Sequence, residues 1–201
     1  MREDRRLVAE QILEASQAHD AVQADRLLRF RNVEPETAEL LALLIRSTRA
    51  RRILEIGTSN GYSTLWLADA AEATEGTLVS VEIDPDRSEL ARANLSRAGL
   101  AAELRTEDAA QTLQRASDGC WDFVFLDAER PAYVSYWPHL LRTLRPAGGL
   151  LAIDNVLSHA EEVEDVTRLI DAEPSVDSVL VPIGDGLRLV VRGRASFALS
   201  V

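Results

Sequence analysis

Four acidic residues and one amide in this chain fall where short apolar runs stop. Glu55 stands two residues before Gly57 in "LEIGTSNGYS", Glu82 closes "LVSVE", Asp127 closes "FVFLD", and Asp154-Asn155 closes "LLAIDN". Apolar runs of this length read as buried strands, so each oxygen donor marks a strand end. Gly57 and Gly61, four residues apart, lie between one such strand and an amphipathic stretch. A glycine turn there lets a small molecule approach the backbone and a helix N-terminus.

The turn is poorly built for phosphate. A P-loop needs a lysine and a hydroxyl after its second glycine, but Gly61 is followed by Tyr62 and Ser63. The dinucleotide fingerprint G-x-G-x-x-G is also missing from Gly57-Thr58-Ser59-Asn60-Gly61. A carboxylate at Glu55, beside the ligand, would disfavour phosphate and suit a cation. S-adenosylmethionine carries a sulfonium and an ammonium and no phosphate, so charge selects it. Glu82, 25 residues after Gly57, stands where an acid accepts hydrogen bonds from ribose hydroxyls. In "TEDAA", Asp108 offers an acceptor for an adenine amino group, and Ala109 leaves room beside the ring.

Asp127 and Asp154 are 27 residues apart, enough for one strand–helix–strand unit. If their strands are neighbours, the ends lie about 4.8 Å apart, and the side chains can converge on one ion at about 2.0–2.6 Å. Two carboxylates and the Asn155 amide oxygen suit Mg²⁺, Mn²⁺ or Ca²⁺ better than zinc. Three protein ligands leave positions open for water and substrate oxygens. Singly, each aspartate reads more readily as a helix cap or turn residue than as a ligand; their joint placement beside a sulfonium-binding turn reverses that and argues for the ion. His159, four residues after Asn155, is a candidate to face the site, whereas His19 and His139 fall in helical stretches. Tyr133, Tyr136 and Trp137 are candidate walls for an acceptor, at a spacing that core packing also explains.

The elements that must position these groups can be read from periodicity. Residues 3 to 29 read as helical, with Leu7, Val8, Ile12 and Leu13 on one face and a break near His19-Asp20. Glu34-Pro35-Glu36-Thr37 opens a second helix, with Pro35 in its first turn. Strands "RILEI", "TLVSVEI", "AAELRT", "WDFVFLD" and "LLAID" then alternate with helices over about 62–72, 85–98, 109–116, 132–144 and 160–172. Such alternation predicts a parallel sheet covered on both faces. The end differs: "VDSVLVPI", "GDG" and "LRLVV" read as a hairpin. The expected fold is α/β, Rossmann-like and doubly wound, with a mostly parallel seven-stranded sheet, a C-terminal antiparallel hairpin and N-terminal helices. Ligands in such sheets bind beyond the carboxyl ends of the strands, near the switch in strand order.

At 201 residues, 46% hydrophobic and 27% charged, the chain is expected to form one domain. Within it, residues 1–48 would be a helical cover and 49–193 the core. The run "LLALLI" is too short to span a bilayer. "MREDRRLVAEQ" lacks the apolar core of a signal peptide. Cys120 is the single cysteine, which excludes an internal disulfide and a cysteine-based zinc site. The expected location is the cytoplasm, with no membrane partner. A net charge of −11 opposes binding to nucleic acid.

At "LEIGTSNGYS", "VEID", "FLDAER" and "AIDNV" the sequence resembles the metal-dependent, S-adenosylmethionine-using O-methyltransferases of the catechol and caffeoyl-CoA type. The resemblance runs from about Val33 to Arg192. It implies cofactor contacts at Val33, Glu55, Gly57, Thr58, Ser63, Glu82, Ile83, Asp108, Ala109 and Asp127. It implies metal ligation by Asp127, Asp154 and Asn155, catalytic roles for these three and Arg130, and a homodimer. Two departures stand out. Arg130 occupies the position, three residues after the first metal aspartate, where the family commonly has a lysine. The long insertion that follows the Asp-Asn pair in caffeoyl-CoA-type members is absent, which argues against a CoA thioester.

The expected activity is methyl transfer to a vicinal dihydroxy, phenolic small molecule. A methyltransferase acting on hydroxyuridine in tRNA and a non-catalytic adenosyl-binding module are the alternatives. A nicotinamide oxidoreductase fits least, because its glycine fingerprint is missing.

Overall fold

Side-chain parity along the strands sorts the core into two layers. Ile53, Leu78, Phe123, Phe125, Leu150 and Ala152 face one side of the sheet, where they meet the N-terminal helices. Leu54, Val79, Val81, Val124, Leu126 and Leu151 face the other. Both sets are apolar because a parallel sheet is covered on both faces.

The computed structural model describes residues 1–193. Helix α1 (Glu3–Val22) and helix α2 (Pro35–Thr48) precede the first strand, β1 (Arg52–Ile56). Then come α3 (Tyr62–Ala73), β2 (Thr77–Glu82), α4 (Pro85–Arg97), β3 (Glu103–Thr106), α5 (Ala109–Arg115) and β4 (Phe123–Leu126). The chain continues through α6 (Tyr133–Thr143), β5 (Leu150–Ile153), α7 (Ala160–Asp171), β6 (Val176–Val181) and β7 (Leu187–Arg192). The sheet has seven strands in the order β3-β2-β1-β4-β5-β7-β6. The strands from β3 to β5 are parallel, and the β6–β7 hairpin returns β7 antiparallel to β5. Helices α1 to α3 pack on the first layer, and α5 to α7 on the second.

The main departure from the periodicity lies at the N-terminus. Helix α1 stops at Val22 rather than near residue 29, and residues 23–34 form an irregular strap with one 3₁₀ turn, Arg26–Leu28. The Asp20 carboxylate accepts the backbone N–H groups of Phe30 (2.8 Å) and Arg31 (2.9 Å), which folds the strap back on its helix. Arg87 of α4 donates to the carbonyls of Leu27 (2.6 Å) and Arg29 (3.0 Å), and the Ser59 hydroxyl donates to that of Phe30 (3.1 Å). The strap is thus tied across the ends of β1 and β2.

Candidate active site

Connections leave the neighbouring strands β1 and β4 in opposite directions, and this switch point opens into a cavity of about 610 Å³ beneath the strap. Val33 enters it from the strap, and Gly57, Thr58 and Ser63 from the glycine turn. Glu82 and Ile83 follow β2, Asp108 and Ala109 follow β3, Asp127 and Arg130 follow β4, and Asp154 and Asn155 follow β5.

Glu55 is the exception, and its expected place beside the ligand is corrected. Register pairs Glu55 with Ser80, one pleat below the strand ends. The side chain is 0% exposed under the first turn of α3, where Ser63 (2.5 Å), Thr64 (2.6 Å) and Ser80 (2.6 Å) donate hydroxyls to it. Burial pushes its carboxyl up to about 7, although those three hydrogen bonds favour the ionised form. Glu55 therefore anchors the turn from below and does not line the cavity.

Gly57 brings two strand ends together. It adopts φ +104°, and a Cβ there would fall 1.8 Å from the Asp127 carbonyl oxygen. Only glycine permits that approach, so the turn and the Asp127 loop lie in direct contact. Gly57 and Thr58 both donate their N–H groups to the Val81 carbonyl. Glu82 is held by Ser59 N–H at one oxygen (2.8 Å) and Asp84 N–H at the other (3.0 Å). Each oxygen keeps lone-pair capacity toward the cavity. Asp84 caps α4 through the N–H groups of Asp86 and Arg87. Asp108 caps α5 through Ala110 N–H (2.8 Å) and also accepts the Tyr136 hydroxyl at 3.5 Å.

In the adjoining stretch, Leu126 and Ile153 are register partners on adjacent parallel strands, so Asp127 and Asp154 emerge side by side. Asn155 takes a left-handed conformation, φ +64°, which asparagine tolerates better than most residues. Its amide Nδ2 donates to Asp127 Oδ1 (3.0 Å) and Asp154 Oδ2 (3.2 Å). Burial raises the pKa of both carboxyls, and at Asp154 the charge of Asp127 adds to the effect. Asp154 is 2% exposed, and its Oδ1 is buried without a hydrogen-bond partner. Two crowded carboxylates with an orphaned oxygen, bridged by a donor amide, are a donor set that fits a divalent cation. Turning the amide by half a turn would present Oδ1 in place of Nδ2. Among the described residues, no group of three or more His, Cys, Asp or Glu side chains is arranged for a metal.

Arg130 is 3% exposed at the cavity wall, with Nε donating to Glu162 of α7 (2.8 Å) and Nη2 buried without a partner. His159 reaches the cavity, but Arg26 lies 2.8 Å from its Nε2. Because arginine can only donate, Nε2 is the acceptor and Nδ1–H faces the Ser158 hydroxyl (2.8 Å). Of the aromatic candidates, Tyr133 and Trp137 are core residues, and Tyr136 lines the cavity beside Asp108 rather than at the Asp127 end. The Tyr133 hydroxyl instead pins the loop after Asp127, donating to the Ala128 carbonyl and accepting its N–H.

The cavity also takes in Arg31, Glu34, Glu129 and Asp185, which the sequence does not single out. Arg31 pairs with Glu129 at 2.8 Å. Arg31 and Glu34 lie in the aperiodic strap, where the one available signal is the helix start marked by Pro35.

The O-methyltransferase family profile matches residues 10–193. A catechol O-methyltransferase of Niastella koreensis is 36% identical over 139 residues, spanning 67% of this chain and 62% of that protein. A catechol O-methyltransferase of Mycobacterium tuberculosis is 38% identical over 142 residues, spanning 70% of this chain and 62% of that protein. The match therefore spans less than two thirds of these relatives' length. The crystal structure of an O-methyltransferase from Bacillus cereus in complex with SAH superposes with a TM-score of 0.77 at 29% identity, over 92% of this chain and 90% of that one.

Proposed function

This chain belongs to the O-methyltransferase family, and from that premise we propose that it moves the methyl group of S-adenosylmethionine to a hydroxyl of a small, catechol-like vicinal diol. The observation that carries this reading is the pairing within one cavity. The glycine turn and Glu82 line one stretch of it, and Asp127, Asp154 and Asn155 converge on the adjoining one, the two meeting where Gly57 touches the Asp127 carbonyl. A sulfonium and a diol-binding cation belong in those two places.

In this reading the backbone of Gly57 and Thr58, with the Ser63 hydroxyl and Val33, holds the methionine part. Glu82 takes the ribose hydroxyls, with Ile83 beside it. Asp108 accepts from the adenine amino group, and Ala109 lies against the ring. Asp127, Asp154 and Asn155 would hold Mg²⁺, Mn²⁺ or Ca²⁺, which acidifies and aligns two neighbouring acceptor oxygens when bound. Arg130 is always charged and cannot take a proton. Its guanidinium, fixed by Glu162, contributes positive charge beside the acceptor end. Positioning and electrostatics supply most of the rate.

A homodimer belongs to the same reading. Among the described residues β6 is an edge strand, with Val179 58% exposed, and this is a surface that two copies would cover. No helix among the described residues is long and apolar enough to cross a membrane, and cytoplasmic residence is part of the proposal.

The test is transfer from labelled S-adenosylmethionine to a panel of catechols and tRNA, with and without chelator. We expect catechol methylation that chelation abolishes and Mg²⁺ or Mn²⁺ restores, and no rescue in Asp154→Ala. Full activity in chelator would remove the ion from catalysis. Labelling of tRNA alone, or of nothing, would reject the small-molecule acceptor.

A further inference from the structure

A hydroxyl that accepts a methyl group must lose its proton, and most groups at that end of the cavity are engaged. Arg130 stays protonated and is bound to Glu162. The Nε2 of His159 is engaged by Arg26. Glu129 is paired with Arg31, and Asp127 and Asp154 are the proposed cation ligands. Two cavity carboxylates remain without a hydrogen bond or ion pair among the described residues, Glu34 and Asp185.

Glu34 is the better placed of the two. It is the last residue of the strap, and its Oε2 lies against the hairpin tip, 2.5 Å from where a Cβ on Gly184 would stand. That hairpin tip is hydrogen-bonded to the loop after Asn155, through Val156 N–H to the Gly186 carbonyl and Leu157 N–H to that of Asp185, which puts Glu34 on the acceptor side of the cavity it shares with Asp127 and Asp154. The same cavity is lined by Asp127 and Asp154 at the strand ends, Asp185 on the hairpin and Arg31 in the strap. Half-buried, it also has a route to water. Asp185 stands on the hairpin tip, where its backbone carbonyl accepts the N–H groups of Leu157 and Ser158.

We propose that the Glu34 carboxylate takes the proton of the acceptor hydroxyl, a role that rests on the O-methyltransferase reading above. The O–H bond breaks toward Glu34, and the freed electron pair on oxygen forms the new bond to the methyl carbon. The carbon–sulfur bond breaks with its pair left on sulfur, and Glu34 then passes the proton to water at the cavity mouth.

The experiment compares Glu34→Gln with the natural protein on catechol and on 4-nitrocatechol, whose hydroxyl is already more acidic. On catechol, kcat should fall by about 10²-fold, the low end for a positioned general base. On 4-nitrocatechol the loss should shrink to within about 3-fold, because little proton transfer is left to assist. Glu34→Asp, which keeps a carboxylate, should recover part of the catechol rate. Affinity for S-adenosylhomocysteine by calorimetry should be unchanged, which reports a folded site. An equal loss on both acceptors, no loss on either, or an aspartate variant no better than glutamine would overturn the assignment. Absence of transfer by the natural protein to both acceptors would overturn the underlying reading instead.

Discussion

Glu55 and Glu82 lie on neighbouring strands and on the same face, yet they do different work because they stand at different depths. Glu55 is level with Ser80 and is enclosed by hydroxyls, whereas Glu82 sits two residues higher, at the level of the turn. There the N–H groups of Ser59 and Asp84 aim its carboxylate without using all of its lone pairs. Replacing Glu82 by alanine should weaken S-adenosylhomocysteine binding by about 1.5–3 kcal/mol, the worth of hydrogen bonds to a charged group. Calorimetric titration checks this; unchanged affinity in a folded variant would remove Glu82 from the cofactor site. Asp154 shows the same principle from the other side, since its orphaned oxygen costs stability that a bound cation would return.

Among the elements, the glycine turn and the strap are the two that shape the cavity. The turn works because Gly57 lets β1 end in contact with the carbonyl of Asp127. Gly57→Ala places a Cβ 1.8 Å from that oxygen at φ +104°. Steric strain of about 1–3 kcal/mol from overpacking is then added to about 1–2 kcal/mol for the left-handed backbone. A melting temperature lowered by several degrees, measured by calorimetry, is the expected outcome, with metal and cofactor affinities reduced together. A variant that melts like the natural protein would show that the two strand ends can separate freely. The strap's own hydrogen bonding is confined to its 3₁₀ turn and the Arg29 guanidinium on the Gln23 carbonyl. It is fastened by Asp20, Ser59 and Arg87 on the cofactor side, and by the pairs Arg26–Glu162 and Arg31–Glu129 on the acceptor side.

For the whole molecule, the buried Glu55 ties stability to pH. Its folded-state pKa, about 7, lies above its ordinary value of 4.5. Above pH 4.5 the unfolded chain ionises this group while the folded protein keeps it protonated. Its contribution to stability is therefore full below about pH 4.5 and is lost progressively up to about pH 7. At about 1.4 kcal/mol per pKa unit this amounts to a few kcal/mol. Glu55→Gln, which keeps the shape, should flatten the fall in unfolding free energy between about pH 5 and 7. Denaturant titrations of both proteins across that range test it. Parallel curves would mean that the hydroxyl cage stabilises the ionised carboxylate in full.

The sequence alone determined the features that local periodicity and backbone chemistry encode. Alternating strands and helices, the hairpin after α7, and oxygen donors at strand ends all follow from residue order, because each depends on neighbours only a few positions away. Cofactor class was legible in the same way, through the missing lysine and glycine of the phosphate-binding turns. What tertiary structure alone decided is depth and partnership. Register put Glu55 a pleat below the cavity, and adjacency of β4 and β5 put Asp127 beside Asp154. Arg130 met Glu162 from 32 positions away, and Arg26 met His159 from 133. The strap brought Arg31 and Glu34 over the site although nothing periodic marks them. Side chains that meet only when distant segments pack leave no pattern along the chain, since the free energy that pairs them arises after the layers close.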